Sequence, residues 1–345
     1  MGCLLGKICS CESGPVVETI NGPVEGSTMQ TLSGRKVFAY RGVPFARPPV
    51  GELRFKKPKP ALSWTQKLNC RKESTKSLQP FALAPEYQLF AEGGEDCLYL
   101  SVFTKNRPGE PTHLLPVVVF FPGGAFQLGS SETALYGPQI LLDHDLVLVG
   151  VNYRLGPLGW LSLGCDECPG NLGLWDQQMA LTWVQDNIAA FGGDPERVTL
   201  LGESAGAMSA MLHMVAPSSK GLFHRVVALS GTPSNLLLKE SRRPEVYGRA
   251  LAERLGCSKD ADNFARLKKL QEAKATDILK NGLMFKDWDN TNPLPWVPVD
   301  DSSLAEPFLP LNFWDAVKAG KVAKVPILMS CCNDEGLILS APFHR

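Results

Sequence analysis

The distribution of apolar residues along the chain separates strands from helices. Leu115–Phe121 (LPVVVFF) and Leu146–Val151 (LVLVGV) are unbroken apolar runs, and Val198–Leu201, Val226–Leu229 and Val325–Met329 are shorter ones. Such runs predict strands covered on both faces, as in a parallel sheet. Residues 96–104 (DCLYLSVFT) read as a further strand. Between the runs lie helical patterns. The clearest is Leu174–Phe191, where Leu181, Val184, Ile188 and Phe191 recur every three or four residues and define one stripe. Gly192 and Gly193 stop it, and Asp194-Pro195 turns the chain into the next strand. Strands alternating with helices predict an α/β fold, with helices flanking a mostly parallel central sheet.

The flanking text is less regular. Residues 1–14 read as a loose, flexible tail and residues 15–345 as one domain. Pro44, Pro48, Pro49, Gly51, Pro58 and Pro60 mark a winding segment. Residues 236–310 carry more charge and more helix formers, and they predict a helical excursion over the upper edge of the sheet. No flexible linker bounds that stretch, which argues against a second domain.

Composition narrows the function classes. Among 345 residues, 44% are hydrophobic and 20% charged, and Lys+Arg equals Asp+Glu at 35 each. A neutral chain of this kind gives no reason to expect a nucleic-acid partner. No apolar run reaches the ~20 residues of a membrane span. The first residues, MGCLLGKICSC, lack the apolar stretch of a secretory signal, which favours the cytoplasm. Gly2 suggests acylation, but Gly6 stands where that motif wants Ser or Thr, so an unmodified start is the simpler reading. Ten cysteines include the close pairs Cys9/Cys11 and Cys165/Cys168, and neither gathers the further ligands of a metal site. No metal or other cofactor is expected.

The chemistry sits at residues 202–206, Gly-Glu-Ser-Ala-Gly. A G-x-S-x-G match alone is weak. Here the strand Val198–Leu201 precedes it and a helix-forming run, Ala205–Met214, follows. That order is the strand–turn–helix of a nucleophile elbow, which lifts the Ser204 hydroxyl clear of the sheet. An oxyanion hole in such a site takes one N–H from the residue after the serine, here Ala205. Others come from a small-residue loop after an earlier strand, here Pro122-Gly123-Gly124-Ala125.

Several further segments resemble the type-B carboxylesterase and cholinesterase family. They include Glu95-Asp96-Cys97-Leu98-Tyr99-Leu100, and Phe191-Gly192-Gly193-Asp194-Pro195 running on to Gly202–Gly206. Others are Arg41-Gly42-Val43-Pro44-Phe45-Ala46, Asn152-Tyr153-Arg154 and Pro169-Gly170-Asn171. The resemblance implies an α/β-hydrolase fold and a serine hydrolase of small-molecule esters with broad acyl preference. It implies Ser204 as nucleophile and Glu335, in Asn333-Asp334-Glu335-Gly336, as triad acid. Gly124, Ala125 and Ala205 would donate the oxyanion-hole N–H groups, and Glu203 would tune the field beside the nucleophile. It also implies a Cys70–Cys97 disulfide, which favours an oxidising compartment and leaves secretion as the alternative location, and an Arg54–Glu95 ion pair.

The sequence departs from that pattern in three places. Triad order is Ser, acid, His, yet His113, His144, His213 and His224 precede Glu335, and His344 follows it by only nine residues. The expectation is that the C-terminal part of the domain, with its base and last strand, is missing, which leaves an apolar sheet edge. Pro122 replaces a His that often precedes the glycine loop. The Cys70–Cys97 loop holds Phe81, Tyr87 and Phe90 but no Trp, which disfavours choline esters. Two other readings follow: a catalytically impaired shortened product, and a non-catalytic cholinesterase-like binding protein. Retention of both Ser204 and Glu335 argues against the second.

Overall fold

The long apolar runs become the middle of one sheet. The computed structural model describes residues 9–81, 91–107, 109, 113–233, 244–283, 285 and 296–336. Its strands are β1 (Cys9–Thr19), β2 (Gly22–Gln30), β3 (Lys36–Pro44), β4 (Leu68–Asn69), β5 (Gln79–Pro80), β6 (Ala91–Glu92), β7 (Tyr99–Thr104), β8 (Leu115–Phe121), β9 (Val147–Val151), β10 (Gly193–Glu203), β11 (Arg225–Leu229) and β12 (Ile327–Ser330). Its helices are α1 (Thr133–Tyr136), α2 (Gly156–Trp160), α3 (Leu172–Asn187), α4 (Ala205–His213), α5 (Pro244–Arg254), α6 (Asn263–Glu272), α7 (Ala275–Gly282) and α8 (Phe313–Lys318).

Ten strands join one sheet in the order β1-β2-β3-β7-β9-β8-β10-β11-β12, with β4 beside β2, while β5 and β6 pair separately. The sheet is mixed rather than mostly parallel. Pairings from β1 through β9 in that order are antiparallel, and those from β9 to β12 are parallel. The antiparallel half is built from β1–β3, where the sequence shows short apolar runs broken by turns instead of long ones. Cys9, Ser10 and Ser13 pair with β2, so β1 begins inside the stretch expected as a loose tail over residues 1–14. Gly2 and Cys3 lie outside the described residues.

Adjacent residues of a strand face opposite sides, and the sheet uses both. Tyr40, Val102, Val147 and Val149 enter the main core, while Ala39, Phe103 and Leu148 enter a smaller cluster on the other face with Met29, Val37 and Leu142. β9 is buried at every position, as its unbroken apolar run requires. β12 is the contrary case. Ile327, Leu328 and Met329 are 41%, 56% and 51% exposed, and the strand pairs only with β11 among the described residues.

The helix predicted over Leu174–Phe191 appears as α3 and a following 3-10 turn. Leu181, Val184, Ile188 and Phe191 are all fully buried, and Gly192 ends the turn at φ +79°. The excursion appears as α5, α6 and α7, and one side chain ties it to the body. Arg54 grips Glu95 through two parallel bonds of 2.6 and 2.7 Å, and its third nitrogen, Nη1, donates to the carbonyls of Leu270, Gln271 and Ala273. It thus satisfies carbonyls that the end of α6 leaves without helical partners. The expected Arg54–Glu95 pair is present.

A second buried pair holds the segment after β9. Arg154 donates to Asp176 from Nε at 2.8 Å and from Nη2 at 2.6 Å, and its Nη1 bonds Lys56 O at 2.9 Å. Asp176 is fully buried. Removing one partner strands the other charge, which costs about 3–5 kcal/mol. Arg154→Ala should therefore lower the stability from chemical denaturation by about that amount. A loss below about 1 kcal/mol would mean that water or another cation compensates Asp176.

Candidate active site

Three chain segments converge at the C-terminal ends of β8, β10 and β11. β10 ends at Glu203, and α4 begins at Ala205, so Ser204 alone makes the turn. It does so at φ +53°, ψ −119°, a backbone conformation that L-residues with a side chain rarely adopt. Such strain persists only where the surroundings over-determine it. Here the Ser204 N–H donates to Leu229 O at 2.8 Å, and its carbonyl accepts from Met208 N at 3.0 Å. A Cβ on Gly202 would lie 2.2 Å from the Gly206 backbone, and one on Gly206 would lie 2.0 Å from Phe121 O. Both glycines of G-x-S-x-G are therefore required by close approach.

The loop after β8 lies against this turn. A Cβ on Gly123 would meet Glu203 Oε2 at 2.4 Å and the Ser204 Cβ at 3.2 Å. Gly124, Ala125 and Phe126 follow at φ +114°, +55° and +64°. Among the described residues, no carbonyl accepts from the N–H of Gly124, Ala125 or Ala205, while several carbonyls nearby are engaged. Gly124 O receives Gln127 N and Leu128 N, and Phe126 O receives Gly156 N and the Trp160 indole. Pro122 O receives the Tyr153 hydroxyl at 2.6 Å, and Gly129 exchanges two bonds with the Gln79 amide. The loop is thus fixed through its acceptors, leaving donors unspent beside Ser204. Tyr153, Trp160 and Gln79 were not singled out as supports; Tyr153 was visible only as part of Asn152-Tyr153-Arg154.

Glu335 reaches the same end of the sheet by way of β12. Its Oε1 accepts from Cys332 N at 2.9 Å, and its carboxylate also takes the Ser230 side chain. The Ser230 bond first, and the backbone bond next, hold its carboxyl below the ordinary glutamate value. Ser230 sits at φ +53° and its N–H donates to Ser330 O. It had no sequence signal beyond its place after β11. Glu203 shifts the other way. Burial, and then the Glu335 charge, hold its carboxyl above the ordinary value.

The described histidines stand elsewhere. His213 is buried behind α4, bonded to Ser219 at 2.7 Å and Gln177 at 3.0 Å, and burial lowers its imidazole to about 3. His224 bonds Val198, and His113 and His144 precede β8 and β9, all at the opposite ends of the strands. His344, Tyr87 and Phe90 lie outside the described residues. Cys70 and Cys97 are both buried, and both are free thiols in this structure. The described residues contain no cluster of three His, Cys, Asp or Glu side chains able to hold a metal, and no helix long and apolar enough to cross a membrane.

Because its carboxyl is raised on folding, Glu203 contributes stability that is present below the ordinary value of 4.5 and lost as pH rises through the raised one. Glu203→Gln should therefore melt higher than the parent at neutral pH, and the gap should close below that value. Equal melting temperatures at neutral pH would contradict the repulsion argued here.

A model of the carboxylesterase family matches residues 13–344. Juvenile hormone esterase of Tribolium castaneum is 37% identical over 345 residues, covering 96% of this chain and 57% of its own length. Esterase FE4 of Myzus persicae is 38% identical over 352 residues, covering 99% and 58%, and esterase B1 of Culex pipiens is 38% identical over 331 residues, covering 94% and 59%. The solved structure of PNB esterase superposes with a TM-score of 0.80 at 34% identity, covering 94% of this chain and 64% of that one. The chain thus spans a little under three-fifths of the curated relatives' lengths, between 57% and 59% for these three.

Proposed function

Since the chain belongs to the carboxylesterase family, we propose that it is built for hydrolysis of small carboxylic esters through an acyl-enzyme on Ser204. The observation that carries this reading is the strained Ser204 turn, lying against a glycine loop whose N–H groups have no acceptor among the described residues. Strain of that kind is stored where a function uses it.

In this reading the Ser204 Oγ attacks the ester carbonyl carbon. The carbonyl oxygen becomes an oxyanion and accepts from the N–H groups of Gly124, Ala125 and Ala205, which need no reorganisation to receive it. Collapse expels the alcohol, and water then releases the acid. The serine proton passes to an imidazole outside the described residues, and Glu335 orients that imidazole and stabilises its charged form. Glu335 suits this role because its bonds to Ser230 and Cys332 favour the ionised carboxylate. The relatives' names favour carboxylic esters as the substrate class, and the lack of a Trp in the Cys70–Cys97 loop disfavours quaternary ammonium alcohols.

Two measurements test the proposal. An organophosphate should label Ser204 stoichiometrically in the protein carrying its histidine base, and Ser204→Ala should lower kcat roughly 10⁴–10⁶-fold. Residues 1–345 alone should hydrolyse p-nitrophenyl acetate no faster than their Ser204→Ala variant. Absence of label on the folded, base-containing protein would refute the serine mechanism. A large difference between the two 345-residue chains would mean that another group supplies the base. The proposed Cys70–Cys97 bridge predicts an intact mass lower by two hydrogens in protein recovered from an oxidising compartment, restored by reductant.

A further inference from the structure

The close pair Cys165/Cys168 has no part in the ester chemistry, and it sits in a small hairpin, residues 162–168, between α2 and α3. Cys168 N donates to Cys165 O at 3.0 Å across a tight turn, and the two residues are antiparallel bridge partners. Bridge partners project their side chains from the same face of the backbone. Hydrogen-bonded partners of this kind hold their Cα atoms about 5.5 Å apart, inside the window of roughly 4.4–6.8 Å that a disulfide needs. Both thiols are free here, Cys165 half-buried and Cys168 fully buried. The Cys168 thiol donates weakly to Leu161 O at 3.9 Å, so bridging it sacrifices no strong bond.

This hairpin is also where the helical excursion docks. α5 lies so close to it that a Cβ on Gly248 would sit 2.2 Å from Ser162 O. Leu163 O accepts from the Asn263 side chain, at the start of α6, at 3.0 Å. Asp166 Oδ1 accepts from Ala305 N at 2.9 Å, and Glu167 O accepts from Lys56 Nζ at 2.8 Å. These acceptors belong to the loop itself, so their aim depends on the turn keeping its shape. None of these contacts involves β12 or the segment after it.

We propose that Cys165 and Cys168 are a disulfide site, closed across their turn by exchange with a small disulfide such as glutathione disulfide, and that the ring fixes the hairpin on which the excursion rests. The proposal stands apart from the ester chemistry. Cys165, the more accessible of the two, attacks a sulfur of glutathione disulfide as its thiolate. A protein–glutathione S–S bond forms, and one glutathione leaves as a thiolate that takes up a proton. The Cys168 thiol then loses its proton, and its sulfur attacks that of Cys165, closing the ring and expelling the second glutathione. Two protein thiols are oxidised, and one glutathione disulfide is reduced to two thiols.

The closed ring is a lasting staple rather than a fast switch. A reductant reaches the Cys165 sulfur first and must then expel Cys168. Burial pushes the Cys168 thiol up to about 12, and a thiol that ionises so reluctantly is a slow leaving group. Burial raises the Cys165 thiol as well, which slows its attack on the folded chain. Exchange is therefore slow in both directions, and the site keeps the state in which the hairpin was assembled.

The test incubates the full chain overnight with glutathione disulfide and reads mass and amide exchange. Trypsin releases residues 155–197 as one peptide that holds both sulfurs and no other cysteine. That peptide should be two hydrogens lighter, a loss additional to that of any Cys70–Cys97 bridge. In denaturant, neither cysteine should take iodoacetamide until reductant is added. Amide exchange in peptides covering 162–168 and 244–272 should be slower in the oxidised chain than in the reduced one by roughly threefold or more. The Cys165→Ser variant, a small polar change at a half-buried position, should exchange at the reduced chain's rate with or without glutathione disulfide. A 155–197 peptide at its full mass overturns the site, as does one carrying glutathione on Cys165 with Cys168 still open to alkylation. A closed ring with unchanged exchange overturns the grip on the excursion. Neither readout involves ester hydrolysis, so both remain decisive if the esterase reading fails.

Discussion

Close approach of bare backbone is the constraint around which the candidate site is organised. At Gly123, Gly202, Gly206 and Gly231 an added Cβ would lie within 2.4 Å of a neighbouring atom, three of the four against backbone carbonyl groups. These positions bring the ends of β8, β10 and β11 within touching distance of one serine. The positive φ of Ser204 and the contact of the glycine loop with its turn follow from that crowding. Helix α4 can start immediately after the serine because Gly206 lets its first turn rest on Phe121. The energy of the strained turn is met by packing: α4 lies against β8, β10 and β11, and most of its residues are buried.

Electrostatics add a division of labour among acidic groups. Glu203 and Glu335 lie near enough for the charge of one to disfavour that of the other, yet their environments push them in opposite directions. A carboxylate held ionised beside one held closer to neutrality is the arrangement expected where two acids share a site and take different roles. His213, although close in sequence to the nucleophile, is a neutral buried spacer. It stacks on Phe121, meets Phe308 edge-on and bonds Ser219 and Gln177, so its ring holds the back of α4 against α3.

The parallel half of the sheet was readable because a strand buried on both faces must be apolar at every position. LPVVVFF became β8 without a shift of either boundary, and the stripe over Leu181–Phe191 became the buried face of α3 and of the 3-10 turn after it. The antiparallel half was less legible. β2 and β3 alternate between two cores of different size, and turns at Gly22 and Gly34 interrupt the strands before a periodic signal builds up. Ser204, the glycine loop and Glu335 were legible because each sits at a fixed place after a strand. Ser230, Tyr153 and Gln79 were not. Their roles come from hydrogen bonds across 31 to 105 residues of sequence, which no local pattern encodes.

The strand order bears on how the chain assembles as it is synthesised. β7 and β8 are consecutive in sequence but not in space, because β9 fills the place between them. β1, β2 and β3 can pair as they emerge, since each meets its neighbour across a short loop. β8, by contrast, has no partner until β9 has emerged, and its second partner, β10, comes some 70 residues after its own end. An apolar seven-residue strand must therefore wait unpaired, the condition under which growing chains aggregate or recruit chaperones. The run of valines and phenylalanines that makes β8 a good centre for the sheet also makes it the segment whose early exposure weighs most on the yield of folded protein.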